Sequence, residues 1–457
     1  MIKPDINNTL IKAIEKYAKP LGGNLQDYDE IIYAAAGKQF VLIGEASHGT
    51  QEFYRMRAEI TERLISENGF DAVAVEADWP DAYRVNRYVS LKGGDDSAEQ
   101  SLSDFERFPT WMWRNRESES FIHWLHDYNL AFRYSQAGGE HIQPPVGFYG
   151  LDLYSMNTSI HAVIDYLDQV DPMAGRAARR RYSCLYHFMD NPQSYGYATQ
   201  AGLADSCEED IVSQLIELRK KAYSYLKMDG FVAEDDYFCA EQNAALVKNA
   251  EEYYRSLYRG HPNSWNLRDT HMFETLESLS THLSKRLSHQ ARIIVWAHNS
   301  HIGNSGATEA MLRGEFNIGQ LVKSKYGDQS LLIGFSTSRG TVTAASDWDQ
   351  PEQRKAVNEP FPDSYEHVFH HVNYKQFLID LREHNEAVDL LMEPRLQRAI
   401  GVVYSPDTER QSHYFLSCLP EQFDFMIHCD ETQGVEALET VTHKRKGEMD
   451  ETYPYGV

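Results

Sequence analysis

The sequence predicts an α/β protein: a three-layer α/β/α core with a mainly parallel sheet, and a large α-helical insertion. Short runs of β-branched and aromatic residues recur along the chain, and most of them are apolar at both alternating positions. Strands that helices cover on both faces have this pattern. One long stretch between two of these runs shows helical periodicity and no strand-like run. Together the patterns indicate a covered sheet that is interrupted by a block of helices.

Seven runs are predicted as strands. They span residues 40–43 (FVLI), 72–75 (AVAV), 146–149 (VGFY), 292–296 (RIIVW), 331–335 (LLIGF), 401–404 (GVVY) and 425–428 (FMIH). An apolar stripe at helical spacing lies between the first two runs and consists of Phe53, Met56, Ile60 and Leu64. Asn68 and Gly69 are typical of the end of such a helix. A strand, a helix and a second strand in this order predict a βαβ unit with parallel pairing and a right-handed crossover.

The helical insertion is predicted at residues 156–288, where Leu276, Leu279 and Leu283 are spaced along one helix face. Residues 1–155 and 289–457 are then expected to form the α/β core that carries the catalytic cleft, and the insertion is expected to cover that cleft. Tyrosines of the insertion could supply apolar walls for the cleft or could simply pack in the helical core. These tyrosines are Tyr237, Tyr253, Tyr254 and Tyr258.

Charge limits the partners of this 457-residue chain. Its 44 Lys and Arg residues against 68 Asp and Glu residues give a net charge of −24. Such a surface repels phosphate backbones and anionic lipids, so neither nucleic acid nor a membrane is expected as a partner. The N-terminal segment lacks a signal-peptide pattern, and no stretch approaches the ~18 apolar residues that span a bilayer. We therefore expect a cytoplasmic protein that acts on a small molecule.

The cysteines give no sign of a disulfide framework. There are five, and they are Cys184, Cys207, Cys239, Cys418 and Cys429. They are scattered, odd in number and without a C-x-x-C pair, which argues against both disulfides and a thiolate zinc site. We expect all of them to be reduced thiols.

Polar side chains follow four of the predicted strands at their carboxyl ends. They are Glu45 and His48 after the first strand, Glu76 and Asp78 after the second, Asp152 after the third, and His298 and His301 after the fourth. Ligands of open parallel sheets bind in the crevice outside these ends. Because histidine titrates near neutral pH and a neighbouring carboxylate fixes its tautomer, imidazoles and carboxylates in one cleft form a proton-transfer set.

Each of these residues also has an ordinary structural interpretation. Glu45 could cap the helix that follows it, and Asp152 could merely begin a turn. Arg57 could form an ion pair while its stem packs on the core. His298 and His301 could both be ligands, or one of them could be a core histidine. The joint occurrence of such residues at four strand ends favours a functional site.

Motifs for covalent or phosphoryl chemistry are missing from the sequence. The string GEASHG places its serine as G-x-x-S-x-G, which is not the G-x-S-x-G of a nucleophile elbow, and it lacks the G-K-[ST] of a phosphate loop. No G-x-G-x-x-G follows a strand, and no cysteine follows a strand beside a histidine cluster. Water is then the expected nucleophile, and no cofactor is expected.

Eight strings occur in a recognisable order across nearly the whole chain. They are GEASHGTQEFYRMRAE, AVEADW, FYGLDLYSM, WNLRDTHM, VWAHNSHIGN, GEFNIGQLV, GTVTAASDWD and SHYFLSCLPEQFDFMIHCDET. In these strings and their order the chain resembles the erythromycin esterase family. The resemblance implies an α/β/α core, a helical part that closes a deep cleft, and a hydrolase that opens esters with histidine-activated water. It implies neither a covalent intermediate nor a required metal. The functional residues of the family fall on Glu45, His48, Arg57, Glu76, His298 and His301.

The resemblance and the residue chemistry together predict hydrolysis of a carboxylic ester or lactone. His48, held by Glu45, is expected to take a proton from water. Arg57 and His298 are expected to polarise the ester carbonyl and stabilise the developing oxyanion. Glu76 is expected to orient the water or the imidazole, since an ionised carboxylate only accepts hydrogen bonds.

Three further residues, His301, Asp152 and Glu52, are expected to bind substrate or to support the catalytic groups. Two other functions stay open. Glu45 and the three histidines could hold zinc or manganese with an open position for water, as in a metal-dependent hydrolase. The cleft could also be the ligand pocket of a non-catalytic binding protein. We expect a metal-independent enzyme.

Overall fold

The computed structural model describes residues 4–135, 144–189, 191–226, 231–259 and 263–438. The strands are β1 (Lys19–Pro20), β2 (Phe40–Ile43), β3 (Ala72–Asp78), β4 (Gly147–Asp152), β5 (Ile293–Trp296), β6 (Ser330–Ala344), β7 (Gln353–Val357), β8 (Gln376–Asp380), β9 (Arg395–Arg398), β10 (Tyr414–Ser417) and β11 (Phe425–Thr432). The helices are α1 (Pro4–Tyr17), α2 (Asp29–Ala35), α3 (Gln51–Asn68), α4 (Trp79–Val89), α5 (Ala98–Ser101), α6 (Arg116–Ser135), α7 (Met156–Val170), α8 (Pro172–Tyr182), α9 (Pro192–Gln200), α10 (Glu208–Leu226), α11 (Phe231–Ser256), α12 (Asn263–Leu287), α13 (Asn299–Ile302), α14 (Ile318–Tyr326), α15 (Tyr365–His370), α16 (Glu386–Leu391), α17 (Glu409–Ser412) and α18 (Leu419–Gln422).

One mainly parallel sheet organises the molecule. Its strand order is β1-β8-β11-β6-β2-β5-β3-β4, and β7 pairs with β6 outside this path. The strands from β11 to β4 are parallel to one another. The remaining strands β1, β8 and β7 pair antiparallel, and β9 and β10 form a separate antiparallel pair. The predicted mainly parallel sheet is therefore confirmed.

Alternate residues of the central strands enter two hydrophobic cores on opposite faces of the sheet. Phe40 and Leu42 of β2 belong to one core, and Val41 and Ile43 belong to the other. The first core includes residues of α1, α7, α11, α12, α14 and α15, whereas the second includes residues of α2, α3, α4 and α6. Burial on both faces explains why these strands are apolar at every position. The three-layer α/β/α core is confirmed.

Six of the seven predicted strands are present, as β2, β3, β4, β5, β6 and β11. The prediction of a strand at 401–404 is wrong. This run lies in a loop that is tied to the end of β6, where Ala345 N donates to Val402 O at 2.9 Å and Tyr404 N donates to Ala345 O at 3.0 Å. Its side chains are buried, so the apolar composition reflects packing of a loop against the sheet.

The predicted βαβ unit consists of β2, α3 and β3. Helix α3 ends where the sequence indicated, because Gly69 adopts φ 68°, a left-handed conformation that glycine tolerates at a helix end. The two strands are parallel but not adjacent, since β5 lies between them. Strand β5, which is distant along the chain, therefore lies between β2 and β3, and the carboxyl ends of the three strands are neighbours.

Between β4 and β5 the described residues form helices without a strand, from α7 to α12. A disulfide joins Cys184 to Cys207 in this region, so the prediction that every cysteine is reduced is wrong for these two. Their Cα atoms are 6.1 Å apart, a separation that a disulfide spans but that sequence spacing does not reveal. Cys239, Cys418 and Cys429 are free thiols. Of the helices in the described ranges, none has the length and apolarity to cross a bilayer.

Candidate active site

Predicted polar residues converge at one edge of the sheet, where β2, β3, β4 and β5 end. The buried members of this cluster are Glu45, His48, Glu76, Asp152, His298 and His301. Gly44, just past β2, makes the convergence possible, because a Cβ atom there would collide with the side chain of Asn299. The backbone of Asn299 in turn donates to Glu45 O at 2.8 Å. The loops that follow β2 and β5 are thus packed directly against each other.

His48 is held by a carboxylate and faces a cleft. Its Nδ1 atom lies 2.9 Å from Oε1 of Glu45, and both side chains are at most 2% exposed. An Nδ1–H that donates to Glu45 leaves the lone pair of the neutral imidazole on Nε2. Because His48 lines the cleft, this lone pair is available to a bound molecule. No side chain caps the N-terminus of α3, so Glu45 contacts His48 and does not cap the helix.

Arg57 is buried and paired with Glu45. Its Nη2 atom is 3.1 Å from Oε2 of Glu45. The guanidinium lies over the rings of Tyr54 and Trp296, at 4.5 and 4.9 Å from their centroids, and Arg57 is not among the residues that line the cleft. Buried aromatic faces and one carboxylate therefore surround this cation, which fixes the position of Glu45.

Glu76 contacts three other side chains of the cluster. Its Oε1 atom is 2.7 Å from Nη2 of Arg268, 3.3 Å from Nε2 of His301 and 4.0 Å from Nε2 of His48. Its Oε2 atom accepts a hydrogen bond from the His298 amide at 2.8 Å. Burial alone would raise the pKa of Glu76, but the neighbouring His301, His48 and Arg268 outweigh it and hold the pKa well below its usual range. Glu76 is therefore a fixed negative charge.

Arg268 of α12 joins the ends of two strands. Besides Glu76, it contacts Asp152 in a bidentate manner, with Nε to Oδ1 at 3.0 Å and Nη2 to Oδ2 at 2.7 Å. Burial would raise the pKa of Asp152, yet the paired guanidinium lowers it. Asp152 also begins a turn, since its Oδ1 accepts from the Leu153 amide at 2.9 Å. Asp152 is therefore both a turn residue and an ion-pair partner of Arg268.

His301 is buried between two carboxylates, those of Asp269 and Glu76. Its Nδ1 atom lies 3.0 Å from both carboxylate oxygens of Asp269, and its ring stacks on Trp265 with centroids 4.6 Å apart. Burial disfavours the imidazolium, but the charges of Asp269 and Glu76 outweigh this effect and raise the pKa to about 9. This shift favours the imidazolium, whose charge would stabilise Glu76, whereas the Arg268 guanidinium 3.0 Å from Nε2 of His301 opposes it.

His298 is a neutral imidazole beside His48. The two ring centroids are 4.9 Å apart. Burial and the proximity of His48 hold the pKa of His298 well below its usual range. Its Nδ1 atom accepts from the Ser300 amide at 3.2 Å, which assigns the ring proton to Nε2. Within the described ranges Nε2 has no hydrogen-bond partner, so this buried donor is unsatisfied.

The cleft has a cavity volume of about 70 Å³ and is lined by His48, Glu76 and Arg268. Its walls are aromatic side chains outside the predicted insertion: Phe105, Phe108, Trp113, Tyr154 and Trp348. Of the two interpretations of the α11 tyrosines, core packing is the one observed, because Tyr237, Tyr253 and Tyr254 belong to the helical core and do not line the cleft.

Glu52 stands apart from this cluster. It accepts a hydrogen bond from the Gln433 amide at 2.9 Å and so ties the start of α3 to the segment after β11. It is not among the residues that line the cleft.

The cation within this cluster is the guanidinium of Arg268. In the part of the chain that the structure describes, no group of three or more His, Cys, Asp or Glu side chains is placed to hold a metal ion. The Arg268 guanidinium occupies the space between Glu76 and Asp152, where carboxylate ligands of a cation would otherwise converge. The alternative metal site was expected at Glu45 and the three histidines, but Glu45 contacts Nδ1 of His48 and the guanidinium of Arg57.

Arg268 and Asp269 are the two members of the site that the sequence analysis missed. A signal for Arg268 was present, because it lies four and eight residues before the fully buried Met272 and Leu276. A charged residue on the apolar stripe of a helix needs a buried partner. The sequence could therefore have indicated Arg268 as a buried ion pair, although its partners on β3 and β4 are distant along the chain.

Comparison with known proteins agrees with this architecture. Erythromycin esterase type II of Escherichia coli is 22% identical over 333 residues, which cover 70% of this chain and 74% of that protein. A crystal structure of a Bacillus cereus protein superposes with a TM-score of 0.76 at 21% identity, covering 95% of this chain and 99% of the other. A histidine-to-asparagine mutant of the erythromycin esterase EreC, in its open conformation, superposes with a TM-score of 0.64 at 16% identity, covering 94% and 98%.

A family model described as erythromycin esterase matches residues 65–432, which is most of the chain. The matched region includes β3, β4 and β5, whose ends carry Glu76, Asp152 and His298. It also includes α12 with Arg268. This chain belongs to the erythromycin esterase family, and that membership supports a hydrolase activity.

Proposed function

We propose that this protein hydrolyses a carboxylic ester or lactone with a water molecule that His48 activates, without a covalent intermediate. The observation that carries this proposal is the buried Glu45–His48 pair. A hydrogen bond of 2.9 Å to Nδ1 fixes the tautomer that leaves Nε2 free to accept a proton at the cleft. Family membership supports the reaction class.

Water would lie between His48 and Glu76. Nε2 of His48 and Oε1 of Glu76 are 4.0 Å apart, which allows one water molecule to hydrogen-bond to both at ordinary distances. In the proposed reaction Glu76 accepts one hydrogen of the water and thereby orients it, while His48 accepts the other. The oxygen then attacks the carbonyl carbon, and the imidazolium that forms lies beside two carboxylates.

His298 does not itself line the cleft, but its ring lies 4.9 Å from that of His48, which does. We propose that His298 stabilises the oxyanion of a substrate bound against His48. Its Nε2–H is buried and unsatisfied among the described residues, and its low pKa keeps the ring neutral. The carbonyl oxygen that becomes negative could accept a hydrogen bond from this group. One such donor typically contributes ~3 kcal/mol to stabilisation of the transition state. Arg57 is proposed to act through Glu45, because its contacts are with that carboxylate and not with the cleft.

The tetrahedral intermediate would collapse by breaking the bond to the leaving oxygen. The imidazolium of His48 returns its proton to that oxygen, which leaves as an alcohol, and the acid product loses its proton to solvent. Every proton in this scheme passes through His48 or water, so neither a nucleophilic side chain nor a cofactor is required.

Residues 156–288 are proposed to cover the cleft as a helical insertion, since Arg268 from this stretch lines the cleft.

The test is a panel of esters and lactones assayed for hydrolysis, with and without chelator. Erythromycin belongs in the panel because it appears in the name of the Escherichia coli relative. With a substrate from the panel, His48→Asn is expected to lower kcat by ~10² to 10⁴ and to keep a cooperative melt.

The matched control is His123→Asn, since His123 is 66% exposed and lies outside the cleft. This variant is expected to retain kcat. A His48→Asn variant that loses activity only because it unfolds would show that the residue is structural. Absence of hydrolysis across the whole panel would favour the non-catalytic binding protein.

A further inference from the structure

Arg395, the first residue of β9, is a buried arginine without a partner. The residue is only 1% exposed. In the ranges that the structure describes, its Nε, Nη1 and Nη2 atoms have no hydrogen-bond partner, and no carboxylate forms an ion pair with it. The chain contains 68 Asp and Glu residues, so the missing counterion is not explained by a shortage of acids. Because an unpaired buried charge is costly, Arg395 requires an anion that the described residues do not supply.

Arg398, three residues further along β9, has the partners that Arg395 lacks. It is equally buried, at 1% exposed. Its Nε atom lies 2.8 Å from Oε1 of Glu409. Its Nη1 and Nη2 atoms donate to the carbonyl oxygens of Ser338 and Asn358 at 2.8 and 2.7 Å. Since successive side chains of a strand point to opposite faces, Arg395 and Arg398 lie on different faces of β9 and have separate surroundings.

A second unsatisfied donor lies on the same face of β9 as Arg395. Gln397 is two residues further along, and side chains two apart share one face of a strand. Its Oε1 atom accepts from Oγ of Ser417 at 3.1 Å, and Ser417 is directly opposite Arg395 in the β9–β10 pair. Gln397 is 1% exposed, and among the described residues its Nε2 atom has no hydrogen-bond partner. A guanidinium and a neighbouring amide group therefore present donors that have no acceptor.

We propose that Arg395 and Gln397 form a buried binding site for a small inorganic anion. The guanidinium supplies the positive charge and several N–H donors, and the amide of Gln397 supplies a further donor. Chloride and phosphate share the required chemistry, which is a negative charge that accepts several hydrogen bonds at once. Neither residue lines the cleft at His48, so this inference does not rest on the proposed hydrolysis.

The anion would support a segment that contacts the catalytic loop. Strand β9 leads to Ile400, whose carbonyl oxygen accepts from the His48 amide at 3.3 Å. The Ile400 amide in turn donates to Ala46 O at 2.9 Å. An ion bound to Arg395 would hold the start of β9 in place, and it would have no such site in the unfolded chain. We therefore expect the bound anion to stabilise the folded protein.

The test is thermal unfolding of the full chain in chloride and, separately, in phosphate. Each ion is titrated against the bulky sulfonate MOPS, so that ionic strength stays constant. In at least one of the two series Tm is expected to rise by at least ~3 °C, because a ligand that binds only the folded chain stabilises it. A rise in chloride alone indicates a halide site, and a rise in phosphate alone indicates an oxyanion site.

The deciding variant is Arg395→Met, which is expected to lose this rise. It is expected to fold, since apolar residues of similar volume often replace buried charges without loss of stability. Phosphate also stabilises proteins because it is excluded from their surface, so the rise that remains in Arg395→Met is the background to be subtracted. Arg219→Met is the matched control and should keep the full rise, because it removes the same charge from a side chain of α10 that is 55% exposed.

Anomalous scattering provides a second measurement that needs no variant. Crystals of the full chain are soaked in bromide or in selenate, which replace chloride and phosphate respectively, and a peak is expected beside the guanidinium of Arg395. If Arg395→Met does not fold, this measurement decides. The proposal is overturned if Tm rises in neither series, if Arg395→Met retains the whole rise, or if neither ion gives a peak at Arg395.

Discussion

The Nη2 atom of Arg268 lies 2.7 Å from Oε1 of Glu76, so a helix that packs on the sheet supplies the cation for a carboxylate at the end of a central strand. The same nitrogen is 2.7 Å from Oδ2 of Asp152 on the neighbouring strand. Both carboxylates are buried, and neither would remain ionised there without a counterion. Arg268 is therefore the counterion that the two carboxylates share.

Removing this cation is expected to destabilise the protein strongly. Arg268→Gln leaves two buried carboxylates without their shared partner, and such losses cost about 3–5 kcal/mol of unfolding free energy. Arg84→Gln is the control, because Arg84 also contacts two carboxylates but is 30% exposed, and exposed pairs contribute about 1 kcal/mol or less. Denaturant unfolding of both variants measures the difference. Equal losses would mean that Arg268 is not the essential counterion.

The buried pair of His301 and Asp269 predicts how stability changes with pH. The pKa of His301 is raised to about 9 from an ordinary value of 6.5. A raised folded-state pKa contributes stability that is fully present below pH ~6.5 and is lost as pH rises through about 9. The unfolding free energy is therefore expected to fall between these values, by roughly 3 to 3.5 kcal/mol for the full shift.

Asp269→Asn provides the check on this pH dependence. It removes the carboxylate that contributes most to the raised pKa, so the loss of stability above pH ~6.5 should become much smaller. Denaturant unfolding is measured from pH 6 to 10 for both proteins. A slope that is the same in the variant would assign the pH dependence to another group.

The sequence was informative about the fold because the central strands are buried on both faces. Their apolar runs are unbroken, as in β2 and β5, and loops rarely contain such runs. The run at 401–404 is an exception, because it is a loop that is buried against the end of β6. Strand β8, which includes a polar residue at each end, was missed, since this composition resembles that of a surface segment.

The site was predictable to the extent that it follows strand ends. Glu45, His48 and Glu76 could be identified because parallel strands bring their carboxyl ends together. Arg268 and Asp269 could not be placed in the same way, since they lie on a helix whose docking against the sheet depends on long-range packing. Arg57 contacts the rings of Tyr54 and Trp296 and does not line the cleft, and spacing contains no information about those contacts.

Chelation distinguishes water activated by histidine from water activated by a metal. Full hydrolytic activity is expected after exhaustive treatment with chelator and dialysis, because His48 is supplied with its own carboxylate and Glu76 with its own guanidinium. Activity is measured before and after treatment, and after addition of zinc or manganese. If activity disappears and returns with either ion, His298 and His301 become candidate metal ligands.

Glu45 and Arg57 provide the last prediction, which concerns how Arg57 acts. Arg57 is 3.1 Å from Glu45 and lies outside the cleft lining, so Arg57→Met and Glu45→Gln should both impair the same hydrogen bond to His48. Losses of this kind are not additive, and the double variant should lose little more kcat than the more damaged single variant. The measurement is a double-mutant cycle on kcat, with a thermal melt of each variant. Arg57→Lys, which keeps the charge but not the planar fork, should retain part of the activity if the melt shows it folded. Losses that multiply in the double variant would instead indicate that Arg57 contacts the ester carbonyl directly.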